Sequence, residues 1–153
     1  CPQQYKIFEQ RPNRLTNFCQ LWLPGHIHSD EFRLTPSQVP LMLASSLSPI
    51  YGSNPSFRRV KYHGLTGEIF DYDAYYLDYN NSQTWKQALS FREAFSLPDM
   101  TYDSLHHIVD DFQRLWKTFL LRQHAYNIEL VPEACEQQCL IDWKCTLQSI
   151  SRK

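Results

Sequence analysis

The spacing of apolar residues changes near residue 80, and this change limits most strongly what the 153-residue chain can fold into. Before residue 80, apolar and aromatic residues form short runs bounded by Gly, Pro, Asn and Ser, a pattern typical of β-strands. Later they recur at steps of three and four, as on one face of a helix. The second set comprises Leu105, Ile108, Val109, Phe112, Leu115, Trp116, Phe119 and Leu120. The sequence therefore predicts a mixed α/β chain of the α+β kind, with strands first and helices second.

The strand-like runs fall at five places. They are residues 5–8, 18–25, 39–44, 56–63 and 67–79. The run at 39–44 is continuously apolar, which indicates a buried strand, whereas the last two alternate in part, as half-exposed strands do. Gly64 and Gly67 separate those two runs, so we expect a hairpin there.

The helical part predicts two helices. Trp85, Ala88, Leu89 and Phe95 fit a short amphipathic helix that stops before Pro98. A longer helix should begin at a cap provided by Thr101 or Asp103 and run to about His124, with its aromatic stripe packed in the core.

Composition excludes several classes of function. The chain is 42% hydrophobic and 14% aromatic, which is enough to bury a core and argues against disorder. Its net charge is −1 without a basic block, so it lacks the electrostatic footprint of a nucleic-acid-binding protein. Its apolar runs fall short of the roughly 18 residues that a membrane-spanning helix needs. The chain opens on Cys1-Pro2 without an initiator methionine, and we expect it to be part of a longer protein.

Five cysteines occur, and three of them, Cys135, Cys139 and Cys145, fall within eleven residues. In an oxidising compartment such a cluster forms a disulfide staple. The alternative, a three-thiolate zinc site, needs a fourth ligand, and no histidine lies nearby in the sequence. An odd number leaves one thiol unpaired or bonded to another chain. Asn80 begins a glycosylation sequon, which suits a secretory route.

The segment "GHIHSDEF" contains a histidine pair that could bind metal. On an extended segment His26 and His28 would point to the same side, and Gly25 would let the backbone turn tightly before them. Neutral imidazole is a good ligand for zinc. The Ser, Asp and Glu that follow could hold the two rings by hydrogen bonds. The spacing alone does not separate a metal site from an ordinary loop.

A set of segments, in order, resembles the acid sphingomyelinase family of metallophosphodiesterases. "YKIFEQRPNRLTNFCQLWLPGHIHSDEFRL" is similar to the last catalytic block of that family, in which a strand leads into Gly-His-Thr-His and then Asp-Glu-Phe. "PLMLASSLSPIYGSNPSFRRVKYH", "YYLDYNNSQTW" and "WKQALSFREAFSLPDMTYDSLHHIVDDF" resemble the segments that follow. The C-terminal cysteines resemble the disulfide cluster of the family. The similarity covers nearly the whole chain.

The resemblance implies a phosphodiester hydrolase with two metal ions, usually zinc, in which His26 and His28 each bind one metal and Gly25 shapes their loop. Tyr51 would line the substrate cleft and offer its aromatic face to a choline or a base. The implied architecture has three parts. Residues 1–79 would close the β-sandwich of the metallophosphoesterase core, residues 80–134 would form a helical C-terminal subdomain, and residues 135–153 would be a Cys-rich tail.

The departures from the family pattern decide what the chain can do alone. The upstream Asp-x-His, Gly-Asp and Gly-Asn-His blocks that carry the other ligands are missing, and two imidazoles cannot fill two coordination shells. We therefore expect the C-terminal part of a secreted or lysosomal enzyme. It would hydrolyse a sphingomyelin-type or nucleotide-type phosphodiester only with its N-terminal portion, which Cys1 could tether, while Cys19 would be a small buried residue. The alternative is an inactive relative kept as a binding or structural module.

Overall fold

The computed structural model describes residues 20–148, which form two antiparallel β-sheets and four α-helices. The predicted α+β class is confirmed. The strands are β1 (Glu31–Arg33), β2 (Leu41–Leu43), β3 (Ser56–Tyr62), β4 (Ile69–Leu77) and β5 (Trp85–Gln87). The helices are α1 (Phe91–Phe95), α2 (Tyr102–Asp110), α3 (Phe112–Gln123), a 3₁₀ turn (Ile128–Leu130) and α4 (Gln137–Leu147). The predicted strand at 5–8, and Cys1 and Cys19, lie outside the described residues.

The smaller sheet, β1 and β2, lies in the interior. Both strands are buried along their whole length, and Phe32 stands opposite Met42 in the antiparallel pairing. The expected buried strand at 39–44 is therefore confirmed over its central residues. Of the strand expected at 18–25, the described part forms a parallel bridge at Trp22, whose amide donates to the Pro40 carbonyl at 2.9 Å.

The larger sheet has the order β3-β4-β5, and its first two strands form the expected hairpin. On the outer face the register sets Arg59 opposite Asp73 and Lys61 opposite Asp71, and ion pairs of 2.7 to 3.1 Å join the two strands there. The opposite face, which carries Tyr72, packs on the core. Cross-strand charge pairs and burial thus fix the same register.

Residues 85–95 were expected to form one helix, and this prediction is wrong. Trp85 lies opposite Leu77 in β5, and only Phe91–Phe95 is helical. The helix begins at Ser90 because its hydroxyl accepts from the Glu93 amide while the Glu93 carboxylate accepts from the Ser90 amide. The apolar spacing of the segment is compatible with a helix and with a strand. Its first residues form a strand because they pair with β4.

The long helix is likewise two helices. α2 ends at Asp110 and α3 begins at Phe112, with Asp111 between them at φ −95° and ψ 24°. Thr101 is the N-cap of α2, as one of the two predicted caps, and accepts a hydrogen bond from the Ser104 amide. The apolar period continues through the break, so periodicity alone could not reveal it.

One hydrophobic core joins the strands and helices of the described part. Phe32 of β1 makes edge contacts with Phe91 of α1 and Phe119 of α3, at ring-centroid distances of 6.3 and 6.0 Å. Helix α4 closes this core, since the Leu34 amide donates to the Leu147 carbonyl at 2.7 Å. The boundaries expected at residues 79 and 134 stay predictions. No helix within residues 20–148 is both long and apolar enough to cross a bilayer.

The tail carries a disulfide between Cys135 and Cys139 at the start of α4. Cys145 is disulfide-bonded as well. We did not predict a helix in this segment, because its three cysteines indicated a Cys-rich tail. Because Cys135, Cys139 and Cys145 are all disulfide-bonded, they agree with the predicted disulfide staple and not with the alternative three-thiolate zinc site.

Candidate functional site

The histidine pair lines a cleft of about 430 Å³ between the loop before β1 and the end of α3. His26 is exposed and His28 is partly buried. The cleft is lined by His26, Ile27, His28, Ser29, Tyr51, Ser53, Gln123 and His124. The fold therefore brings His26, His28 and Tyr51, which the sequence singled out, to one concave surface.

The backbone of the pair is not extended, and that expectation is wrong. His26 has φ 85° and His28 has φ 62°, both in the left-handed region that non-glycine residues rarely adopt. Gly25 has no such φ, and a Cβ built on it meets no atom within 4 Å. Left-handed non-glycine residues cost about 1–3 kcal/mol each and cluster at functional sites. The turn is thus made by the histidines themselves rather than by the glycine.

His28 has an unsatisfied ring nitrogen. Its Nδ1 is buried and has no hydrogen-bond partner among the described residues. The ring meets Tyr51 edge-on, with centroids 5.4 Å apart and an interplanar angle of 61°. A buried polar atom without a partner is unfavourable, so a ligand or a further part of the protein is expected to supply one.

The carboxylate of Asp30 anchors the histidine loop to the rest of the fold. Its Oδ1 accepts from Arg58 at 2.5 Å and from the Tyr72 hydroxyl at 2.6 Å, and its Oδ2 lies 3.6 Å from Arg122. Burial raises the pKa of Tyr72 above its usual range, which keeps the hydroxyl protonated as a donor. The loop is thereby fixed to β3, β4 and α3 through one buried charge.

Glu31 makes a second anchor next to the first. Its Oε1 accepts from Arg33 at 2.5 Å and its Oε2 accepts from Gln123 at 2.8 Å. We expected the acidic residues after the histidines to hold the imidazole rings by hydrogen bonds. The hydrogen bonds found instead join them to basic and polar side chains, because both residues point into the core.

The part of the cleft lined by Ser53 and His124 joins residues that are distant in sequence. The Asn54 side-chain amide donates to the Ala125 carbonyl at 3.0 Å, and that of Asn127 donates to the Gly52 carbonyl at 2.7 Å. Ser53 Oγ lies 3.5 Å from His124 Nδ1. Neither His124 nor Ser53 was predicted as a site residue, because no local pattern marks them and only a tertiary contact brings them to the cleft.

Other predicted residues lie away from this cleft. Asn80 is exposed in the turn between β4 and β5, where a glycan could be attached. His106 Nδ1 lies 3.1 Å from Asp110 Oδ2 on the exposed flank of α2. Tyr51, by contrast, lines the cleft and is 68% exposed.

The residues present fit part of a metal site. Two imidazoles line one cleft, and one has an unsatisfied nitrogen. Within residues 20–148, however, no group of three His, Cys, Asp or Glu side chains could hold an ion. A metal at this place would need ligands in addition to the histidine pair.

The curated proteins that match this chain include two phosphodiesterases, and no family model matches it. Sphingomyelinase phosphodiesterase D of Dictyostelium discoideum is 36% identical over an alignment of 63 residues, with coverage of 35% of this chain and 14% of that protein. Acid sphingomyelinase-like phosphodiesterase 3b of Homo sapiens is 22% identical over an alignment of 146 residues, with coverage of 82% of this chain and 32% of that protein. The chain thus spans about a third or less of the relatives' lengths.

Proposed function

We propose that the chain is the C-terminal part of a binuclear-metal phosphodiesterase of the acid sphingomyelinase-like family. The similarity to two phosphodiesterases supports the family. The observation that carries the site is the cleft shared by His26 and His28, in which the buried Nδ1 of His28 has no hydrogen-bond partner within residues 20–148. Each histidine would bind one of two metal ions, and zinc suits imidazole ligands.

When bound, the metals would orient the phosphate and supply a hydroxide near neutral pH. The chain's own contribution is to position the ligands. Asp30 and Glu31 hold the histidine loop against the sheet and α3, which restricts the rings to one side of the cleft. Tyr51, edge-on to His28, would pack against the group attached to the phosphate.

The remaining metal ligands would come from an N-terminal portion of the same protein. This follows from the chemistry, because the described residues offer too few ligands for two ions, and it agrees with the greater length of the relatives. Cys1 would link the two portions. The tail disulfide and the exposed sequon at Asn80 suit a secreted or lysosomal glycoprotein. The substrate would be a phosphodiester of the sphingomyelin or nucleotide type.

Metal content and hydrolysis of the assembled protein test this proposal together. Native mass spectrometry should find two zinc ions, and a chromogenic phosphodiester should be cleaved. In His26→Ala or His28→Ala, metal content should fall and hydrolysis should drop by more than about 100-fold, since losing even a residue that orients a metal ligand costs about 10- to 100-fold. His107→Ala is the matched control, because His107 is exposed on α2 away from the cleft.

Two results would contradict the proposal. One is an assembled protein that holds no metal and cleaves no phosphodiester. The other is unchanged metal content in both histidine variants. Either would favour the alternative of an inactive relative that serves as a binding or structural module, in which the histidine pair has no ligand to hold.

A further inference from the structure

We infer that Gln123 is a positioning residue for His28. Its side-chain carbonyl accepts a hydrogen bond from the imidazole Nδ1–H, which leaves Nε2 to bind the metal. The inference rests on the proposed function, since it assigns a further residue to the same cleft. Both side chains line that cleft, and each carries a buried polar atom without a hydrogen-bond partner in the described part of the chain. The two atoms are His28 Nδ1 and Gln123 Oε1.

The side-chain amide of Gln123 has a fixed orientation. Gln123 is 2% exposed, and its Nε2 donates to Glu31 Oε2 at 2.8 Å. Exchange of the amide nitrogen and oxygen would place a carbonyl oxygen against a carboxylate oxygen, which is unfavourable because neither can donate. Glu31 is itself held by Arg33, whose guanidinium donates to Oε1 at 2.5 Å. The carbonyl oxygen of Gln123 is therefore turned away from Glu31 and keeps its capacity to accept a hydrogen bond.

The imidazole of His28 can supply the donor that this oxygen lacks. A neutral imidazole carries its proton on one nitrogen and accepts on the other, so Nδ1 donates when its partner is a carbonyl. Nδ1 is the buried nitrogen of a residue that lines the cleft and is only partly buried, so Nε2 is the nitrogen that an ion in the cleft can reach. Metal-bound histidines usually donate their other N–H to a carboxylate, a carbonyl or a water. The amide of Gln123 offers such a carbonyl.

The backbone keeps the two side chains in the same neighbourhood. Gln123 binds the carboxylate of Glu31, three residues after His28, and the Glu31 amide donates to the Ser29 carbonyl at 3.1 Å. This tight turn holds the imidazole near the carboxylate that Gln123 contacts. The imidazole and the amide are not hydrogen-bonded to each other in this structure, and rotation of the imidazole about its side-chain bonds pairs them. One hydrogen bond then satisfies two buried polar groups, which are unfavourable when left unpaired.

The position of the imidazole proton tests the inference independently of activity. NMR spectra that correlate protons with the histidine ring nitrogens of the assembled protein, at a pH where the imidazoles are neutral, show which nitrogen carries the proton. The loss of signals in His28→Ala assigns them. We expect the proton of His28 on Nδ1 in the metal-free protein, and on Nδ1 with zinc at Nε2 in the loaded protein.

Two substitutions separate the acceptor of Gln123 from its donor. Gln123→Met keeps the length of the side chain but removes both, and it should abolish the preference for Nδ1 and lower the affinity for zinc by about 10- to 100-fold. Gln123→Lys can still donate to Glu31 but has no acceptor, so it should abolish the preference for Nδ1 as well. Gln87→Met is the matched control, because Gln87 is exposed on β5, and it should leave the His28 signals and the zinc affinity unchanged.

The outcomes distinguish failure of this inference from failure of the proposed function. A His28 proton on Nε2 in the metal-free wild type would overturn the inference. An Nδ1 proton that persists in Gln123→Lys would do the same, because the acceptor would then be another group. If the wild type holds no zinc and cleaves nothing, the proposed function fails, and the proton position in the metal-free protein still decides for Gln123. If neither Gln123 variant folds, a nuclear Overhauser contact between the Nδ1 proton and the Gln123 side chain in the wild type supports the inference, and its absence overturns it.

Discussion

Replacing Asp30 by Asn should destabilise the protein more than any surface substitution, because Asp30 is the counter-charge of two buried guanidinium groups. The side chains of Asp30, Arg58 and Arg122 are 4%, 7% and 1% exposed. Asn keeps an acceptor oxygen for one of the two donors now bound to Oδ1 but removes the negative charge. Two buried cations then remain without an opposite charge, which desolvation makes unfavourable.

The magnitude follows from the distances. At an effective dielectric constant of about 20, unit charges 3.6 Å apart, as between Arg122 and Asp30, attract by roughly 5 kcal/mol. Measured losses on removing one partner of a buried pair are about 3–5 kcal/mol. Since Asn retains one hydrogen bond, we expect a loss of about 3 kcal/mol in the free energy of unfolding. That is a large part of the 5–15 kcal/mol typical of a folded domain.

Equilibrium urea unfolding of the assembled protein at pH 7 measures this loss. The matched control is Asp111→Asn, because Asp111 pairs with Arg114 at 2.6 Å but their side chains are 47% and 66% exposed. An exposed pair contributes at most about 1 kcal/mol, and the control should change the free energy of unfolding by less than that. A loss for Asp30→Asn no larger than that of the control would refute the reasoning, since the buried charges would then not depend on Asp30.

Two further predictions concern the cleft wall and the outer face of the hairpin. Gly52→Ala should cost about 1–2 kcal/mol of unfolding free energy, because Gly52 has φ 83° and a Cβ there would lie 3.3 Å from Leu130 Cδ1. Gly25→Ala should cost less than about 0.5 kcal/mol of unfolding free energy. Equal losses for the two glycine variants in urea unfolding would contradict this reasoning. For Asp73, partial burial acts to raise the pKa, but hydrogen bonds from two basic side chains of β3 outweigh it and hold the pKa below its usual value. The resulting stability is present above the unfolded pKa of about 3.9 and is lost as the pH falls through the folded pKa. Asp73→Asn should therefore reduce the fall in unfolding free energy between pH 5 and 2. An unchanged slope of unfolding free energy against pH would contradict this assignment.

Several elements of the fold could be predicted from local patterns. The continuous apolar run at 39–44 and the runs on either side of Gly64 and Gly67 identified β2, β3 and β4. Each of these strands owes its state to its own residues and to a short turn, which is why the sequence was sufficient. β5 and the break at Asp111 could not be predicted, because apolar spacing fits both outcomes and only the packing partner differs.

The candidate site, too, could be predicted only in part from the sequence. Covalent spacing alone shows that His26 and His28 are close together and precede an acidic pair. The left-handed conformations of both histidines, and the contacts of the acidic pair with Arg58 and Gln123, are visible only in the folded structure. The same is true of His124, which lines the cleft although it is distant in sequence. The physical reason is that buried charges and strained turns are stable only when distant segments supply their partners, and no local pattern records which segments those are.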